Sequence, residues 1–205
     1  MLSRRQRDGL AYQKLAARHA LSVLPLLNDR RDDYSAIEVT AKHIFSTSAE
    51  ILASYTRSHS RTNQVSDFNL DSQTFATELQ GPLNYDAPDR LVSWGWSPVV
   101  ARSFIASYLV EYRTGFPFSV FDQNYQLVGA PNSYRFPHLF RLNVGFEKLM
   151  GLAGRRIGIR VAVLNLTNHG NYTSVDNNID SPTFLQYGSS VSRSYAIRVR
   201  LLQEN

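Results

Sequence analysis

From residue 34 to residue 202, apolar and polar positions alternate in long runs. In 137–150, Phe140, Leu142, Val144 and Phe146 point one way, and Arg141, Asn143, Gly145 and Glu147 the other. In 156–167, Ile157, Ile159, Val161 and Val163 alternate with Arg156, Gly158, Arg160 and Ala162. In 190–202, Val191, Tyr195, Ile197, Val199 and Leu201 share a face that is broken by Arg193. Ser192, Ser194, Ala196, Arg198 and Arg200 take the other face. Successive side chains of a strand face opposite sides, so each run predicts a two-faced strand. The same period predicts strands over 34–45, 49–58, 90–96 and 103–114, with Leu52 interrupting the polar face of 49–58. Several of these seven runs are about 9–13 residues long, where soluble strands average about 5–6 and a tilted bilayer crossing needs about 9–11.

A half-buried soluble sheet alternates in the same way, so the connectors have to separate the two cases. Residues 46–48, 97–102 and 151–155 are short. Residues 61–87, 115–136 and 168–189 are long and rich in Ser, Asn, Asp, Pro and Gly. Strict alternation of short and long connectors is the rhythm of an up-and-down membrane barrel, with short periplasmic turns and long extracellular loops. A soluble sandwich has no reason to sort its loops by length. Trp94, Trp96 and Phe104 lie near one short turn and Phe146 near the next, while Tyr55, Tyr108 and Tyr112 lie in the middle of their strands or toward the long loops. On the apolar face these rings would form girdles at the two interfaces. The expected fold is therefore all-β: an antiparallel up-and-down transmembrane β-barrel segment of seven strands over 34–205. Residues 1–33 are poorly defined. Leu10, Lys14, Ala17 and Leu21 could share a helix face that Pro25 would stop, and 28–33 reads as a charged turn, so a loop or remnant helix is expected.

Bulk properties narrow the function classes. The 205 residues carry a formal net charge of +5, but the basic residues are spread out rather than clustered, which argues against nucleic acid. With no cysteine, disulfides and thiolate metal sites are excluded. No apolar run is long enough for a membrane helix, and no leader-like apolar region follows Arg4, Arg5 and Arg7. His19, His43, His59, His138 and His169 show no metal-ligand spacing, and neither a nucleophile elbow nor a phosphate-binding glycine loop is present. The reading is a non-enzyme without cofactor.

Two constellations remain. Asn165, Asn168 and Asn171 cluster at a strand end, where turn chemistry is preferred to ligand contact, because Asn tolerates left-handed backbone. Arg141, Glu147, Arg156, Arg160, Arg198 and Arg200 come from three consecutive predicted strands and share the polar face. In a barrel they would line the lumen. Internal ion pairs and contacts to a plug are the first expectation for them, and attraction of an anionic solute is the second.

Several stretches carry a family resemblance. Tyr34-Ser-Ala-Ile-Glu-Val-Thr, Phe45-Ser and Leu52-Ala-Ser-Tyr-Thr-Arg-Ser58 resemble a hairpin of TonB-dependent outer-membrane receptors, closest to the Oar-like group. Pro88-Asp-Arg-Leu-Val, Tyr112-Arg-Thr-Gly-Phe-Pro-Phe-Ser-Val120, Arg135-Phe-Pro-His-Leu-Phe-Arg-Leu-Asn-Val144 and Val163-Leu-Asn-Leu-Thr-Asn168 resemble further strands of that group, in order. The resemblance implies the cell outer membrane, contact with its lipid, and uptake of a solute it does not name. It also implies a plug domain, the remaining strands of a barrel of about 22, and a TonB complex reached through the plug. None of these is encoded here, and the chain ends Leu201-Leu-Gln-Glu-Asn205 where the family often has a terminal aromatic residue. The expectation is the C-terminal barrel part of such a receptor. The alternative is a soluble β-sandwich binding carbohydrate or protein. A small complete barrel enzyme is a weaker third reading, since it would need an eighth strand.

Overall fold

The computed structural model describes residues 1–12, 26–46, 49–65, 80–100, 103–152 and 155–202. All regular structure among them is β. The long strands are β1 (Leu2–Tyr12), β2 (Leu26–Ser46), β3 (Ala49–Thr62), β4 (Asp89–Val99), β5 (Phe104–Arg113), β6 (Leu139–Leu152), β7 (Arg155–Leu164) and β8 (Ser194–Leu202). They pair in chain order as an antiparallel meander, with Gly81–Pro82 added beside β3. β1 and β8 are not paired with each other, so the sheet is open, not a closed barrel.

The N-terminal segment departs from the expectation. Leu2–Tyr12 is a strand, paired from Leu2 with Ile37 to Tyr12 with Leu26, and β2 runs straight through 28–33, where a turn was expected. The expected seven strands are therefore eight. Ser3, Arg4, Arg5 and Gln6 put polar groups on both faces, so no period of two is visible, and pairing with the long β2 supplies what local pattern lacks. The helix face expected for Lys14, Ala17 and Leu21 lies outside the described residues. Residues 190 and 191 also leave the last strand: Tyr187–Val191 pairs instead with Asn171–Val175.

Register settles the faces. Ile37, Tyr55, Leu91, Tyr112 and Phe140 share one face through successive pairings, and Val144, Val163 and Tyr195 continue it. On this outer face Val39, Ile197 and Leu201 are 63%, 74% and 68% exposed, and no second sheet covers them among the described residues. The opposite face lines two cavities spanning β1 to β5, so the sheet curves around it. Toward the long loops the outer face turns polar at Arg57, which binds Asp89 at 2.6 Å, as does the Tyr55 hydroxyl.

Trp94 and Trp96 correct the girdle expectation. Trp94 pairs with Leu52 and Leu109, and Trp96 with Glu50 and Ser107, so both lie on the hollow face. The outer face of β4 instead holds Ser93, Gly95 and Ser97. Tyr108 fills that gap. A Cβ on Gly95 would come 2.8 Å from the Tyr108 ring, and the Tyr108 and Ser93 hydroxyls are 3.1 Å apart. A large ring over a strand glycine restores the packing that the glycine forfeits.

Most deeply buried side chains belong to the long-loop end. Leu83, Phe118, Val120, Asp86, Asn132, Asn165 and Asn171 are buried there, together with Ser60 and Thr62 at the end of β3. Two-residue ladders, Pro117–Phe118 with Tyr134–Arg135 and Val120–Phe121 with Leu127–Val128, hold the connector between β5 and β6. Gly115 allows the first of these to close. Any Cβ there would overlap the Phe136 carbonyl, and that residue's amide donates to Phe116 O at 3.0 Å. Gly115→Ala is expected to cost about 1–3 kcal/mol, as overpacking against backbone does, and to speed protease cleavage within 115–136.

Candidate functional site

The hollow face carries the charge. Register puts Arg141, Glu147, Arg156, Arg160, Arg198 and Arg200 on it together, with Glu147 opposite Arg160 and Arg160 opposite Arg198. The residues divide into pairs rather than one cluster. Arg200 donates from Nε to Glu147 Oε1 at 2.8 Å, and Arg160 donates to Ser107 Oγ at 3.0 Å. Arg141 sits at the other end of β6, 4.0 Å from Glu111. Arg156 and Arg198 are exposed and make no ion pair among the described residues. Gly145 and Gly158 give these side chains room, since a Cβ on either would press on Arg160, or on Glu147 and Arg200.

Sequence periodicity puts Glu111 and Arg113 on a polar face but does not join them to Arg90 in the other half of this surface. Arg90 and Arg113 stand on the same face as Glu111, and Arg113 lies 3.6 Å over the Phe116 ring. Tyr34, Glu38, Ser54 and Thr56 extend the face across β2 and β3, with the loop residue Tyr85 above them. Ser54 and Thr40 both donate to Glu38 Oε1. The cavity these residues share with Arg90, Glu111 and Arg113 holds about 640 Å³. Its signal in sequence would be the parity of Arg90 against Arg113. That parity depends on the register across a short turn, not on either strand alone.

Above the hollow face, buried polar bonds fix the loops. Ser60 donates from its amide and its hydroxyl to Asp86 Oδ1, both at 2.8 Å, and Arg135 donates to Oδ2. Arg135 also reaches the carbonyls of Asp86 and Gly115 at 2.8 and 3.1 Å. Asn165 and Asn168 adopt φ of 51° and 53°, the left-handed turn expected for them. Asn165 donates to the carbonyls of His169 and Val191, and Asn171 clasps the backbone N–H and C=O of Phe140 at 2.9 Å each. The asparagine side chains are thus occupied by backbone groups: Asn165 and Asn168 tie the β7–β8 connector to itself, and Asn171 ties it to β6. In that connector, hydrogen bonds from the Ser181 and Thr183 hydroxyls and the Asn178 amide hold the Asp176 carboxyl below its usual range. A depressed carboxyl stabilises the fold at pH above the ordinary value of 3.8, and that contribution fades as pH falls through the folded value.

Asp32 and Asp33, expected in a turn, lie in β2 opposite Thr62 and Arg61, and Asp89 opens β4. Compared with protein-family models and with curated proteins, the chain matches none.

Proposed function

We propose that this chain is wall and outer loops of an outer-membrane β-barrel of the TonB-dependent receptor type, Oar-like by its motifs, which takes up a solute. The outer face carries the proposal: Val39, Phe146, Val161, Ile197, Val199 and Leu201 lie bare on four strands, while Glu111, Arg113, Arg141, Glu147 and Arg160 line the hollow side. Soluble monomers seldom expose an apolar patch of more than a few hundred Å², whereas a barrel wall sets that face against hydrocarbon. An open sheet edge in lipid leaves backbone groups unpaired, so β1 and β8 need partner strands. The reading supplies them, with the plug, from the remainder of such a receptor. The hollow face then borders the solute path, energy coupling belongs to the plug and its TonB complex, and no reaction is catalysed.

Phase partition tests the membrane reading. The full chain is expected in the detergent phase and in the outer-membrane fraction of a Gram-negative host. A monodisperse monomer in detergent-free buffer would overturn it.

A further inference from the structure

We propose that the hollow face holds a binding site for an acidic oligosaccharide, a chain of sugars bearing carboxylates, between the arginines of β4 to β6 and the rings of Tyr34 and Tyr85. The proposal rests on the reading of that face as the solute path and names the solute class.

The arginine end is over-charged. Arg90 stands directly opposite Arg113, and Arg141 directly opposite Glu111 on the next strand. Like charges facing each other across an antiparallel pair destabilise it. Glu111 offers the neighbouring counter-charge, and it does not saturate the three guanidiniums. It lies 3.9 Å from Arg90 and 4.0 Å from Arg141, inside ion-pair range and outside hydrogen-bond range. Arg90 and Arg141 donate no hydrogen bond among the described residues, and Arg113 is steadied on Phe116. Planar forks with open donors match a carboxylate, which accepts two parallel N–H bonds. An anionic ligand would relieve the repulsion between Arg90 and Arg113.

The other end suits sugar. The cavity of about 640 Å³ runs from Arg90 and Arg113 past Val92 and Thr56 to Tyr34, Glu38 and Tyr85. The same Tyr34, Glu38, Thr56 and Tyr85 border a second cavity of about 490 Å³, so the two adjoin across these side chains. Tyr85 is 61% exposed, and neither tyrosine hydroxyl has a hydrogen-bond partner among the described residues. Flat rings accept the C–H face of a pyranose, while the Glu38 carboxylate accepts from its rim and the Ser54 and Thr56 hydroxyls donate to it or accept from it. Polyaspartate would satisfy the arginines but brings no flat C–H face to the tyrosine rings.

The test is titration of the detergent-solubilised full chain with hexagalacturonate, a neutral glucose hexasaccharide and hexa-aspartate. Both tryptophans of the chain lie on the hollow face, so their fluorescence reports binding. Hexagalacturonate is expected to bind, more weakly as salt rises, and the other two are not. R90Q/R141Q is expected to lose about tenfold or more in affinity, the worth of charge-assisted hydrogen bonds. R90K/R141K keeps the charge without the fork and should recover little of that loss. Tyr85→Leu changes one exposed loop side chain, so it folds whatever the arginine variants do, and it should bind several-fold more weakly. Absence of hexagalacturonate binding, equal binding of hexa-aspartate, or an unchanged Tyr85→Leu would each overturn the proposal. Partition is read on the same sample. Detergent partition without binding removes this site alone, and binding by a water-soluble monomer removes the membrane reading alone.

Discussion

Asp86→Ala is expected to unfold the long-loop assembly, at a cost of about 3–5 kcal/mol, the usual loss when one member of a buried ion pair is removed. The Asp86 side chain is 2% exposed. Its carboxylate is the acceptor for the Ser60 amide and hydroxyl and for Arg135 Nη2. Truncation leaves a buried N–H, a buried hydroxyl and a guanidinium without that partner, and each unmet donor carries its own desolvation penalty. Because Arg135 also ties the carbonyls of Asp86 and Gly115, the damage should spread to the connectors on both sides. Chemical unfolding and limited proteolysis of 80–88 and 115–136 measure it. The double variant Asp86→Leu/Arg135→Met separates charge from packing. Replacing both members of a buried pair with apolar groups of similar volume is often close to neutral, so the double variant should recover the share due to the unpaired guanidinium and keep the penalty of the two Ser60 donors. Stability unchanged in Asp86→Ala would show that the connector is held without this pair.

The pair also marks where sequence reading stops. Alternation along 139–164 and 194–202 was legible because each strand has one apolar and one polar face, and the sorted connector lengths were legible without any structure. The shared face of Arg141, Glu147, Arg156, Arg160, Arg198 and Arg200 followed from the same parity, and register places them so. What failed needed a partner strand. Trp94 and Trp96 look like an apolar face until the pairing of Gly95 with Tyr108 shows that face to be the hollow one. Leu2–Tyr12 has no readable period, because its stability as a strand comes from β2. Asp86 and Arg135 sit 49 residues apart in connectors without periodicity, so nothing local announces their bond. Arg90, Glu111 and Arg113 each fit a local strand pattern, and only the register between β4, β5 and β6 assembles them with Arg141.

Val161→Arg is expected to destabilise the chain in lipid by about 2–4 kcal/mol while having little effect on any water-exposed form, where surface changes stay within about 0.5 kcal/mol. Val161 lies in mid-β7 on the outer face, 47% exposed, with Phe146 opposite it on one side and Ile197 on the other. If hydrocarbon covers that row, a guanidinium there must give up its hydration or bend the bilayer toward it. If water covers it, the guanidinium meets no such cost. Ala162→Arg is the control, since Ala162 pairs with Gly145 and Ala196 on the hollow face one residue away. The same charge at nearly the same depth should be tolerated there far better. Denaturant unfolding of both variants in vesicles yields the difference. At about 1.4 kcal/mol per tenfold, even 2 kcal/mol shifts the folded-to-unfolded ratio by about thirtyfold. Equal penalties at the two positions would mean that the sides of this sheet do not differ in their solvent. The assignment of the apolar face to lipid, and of the arginines to a wet interior, would then fail together.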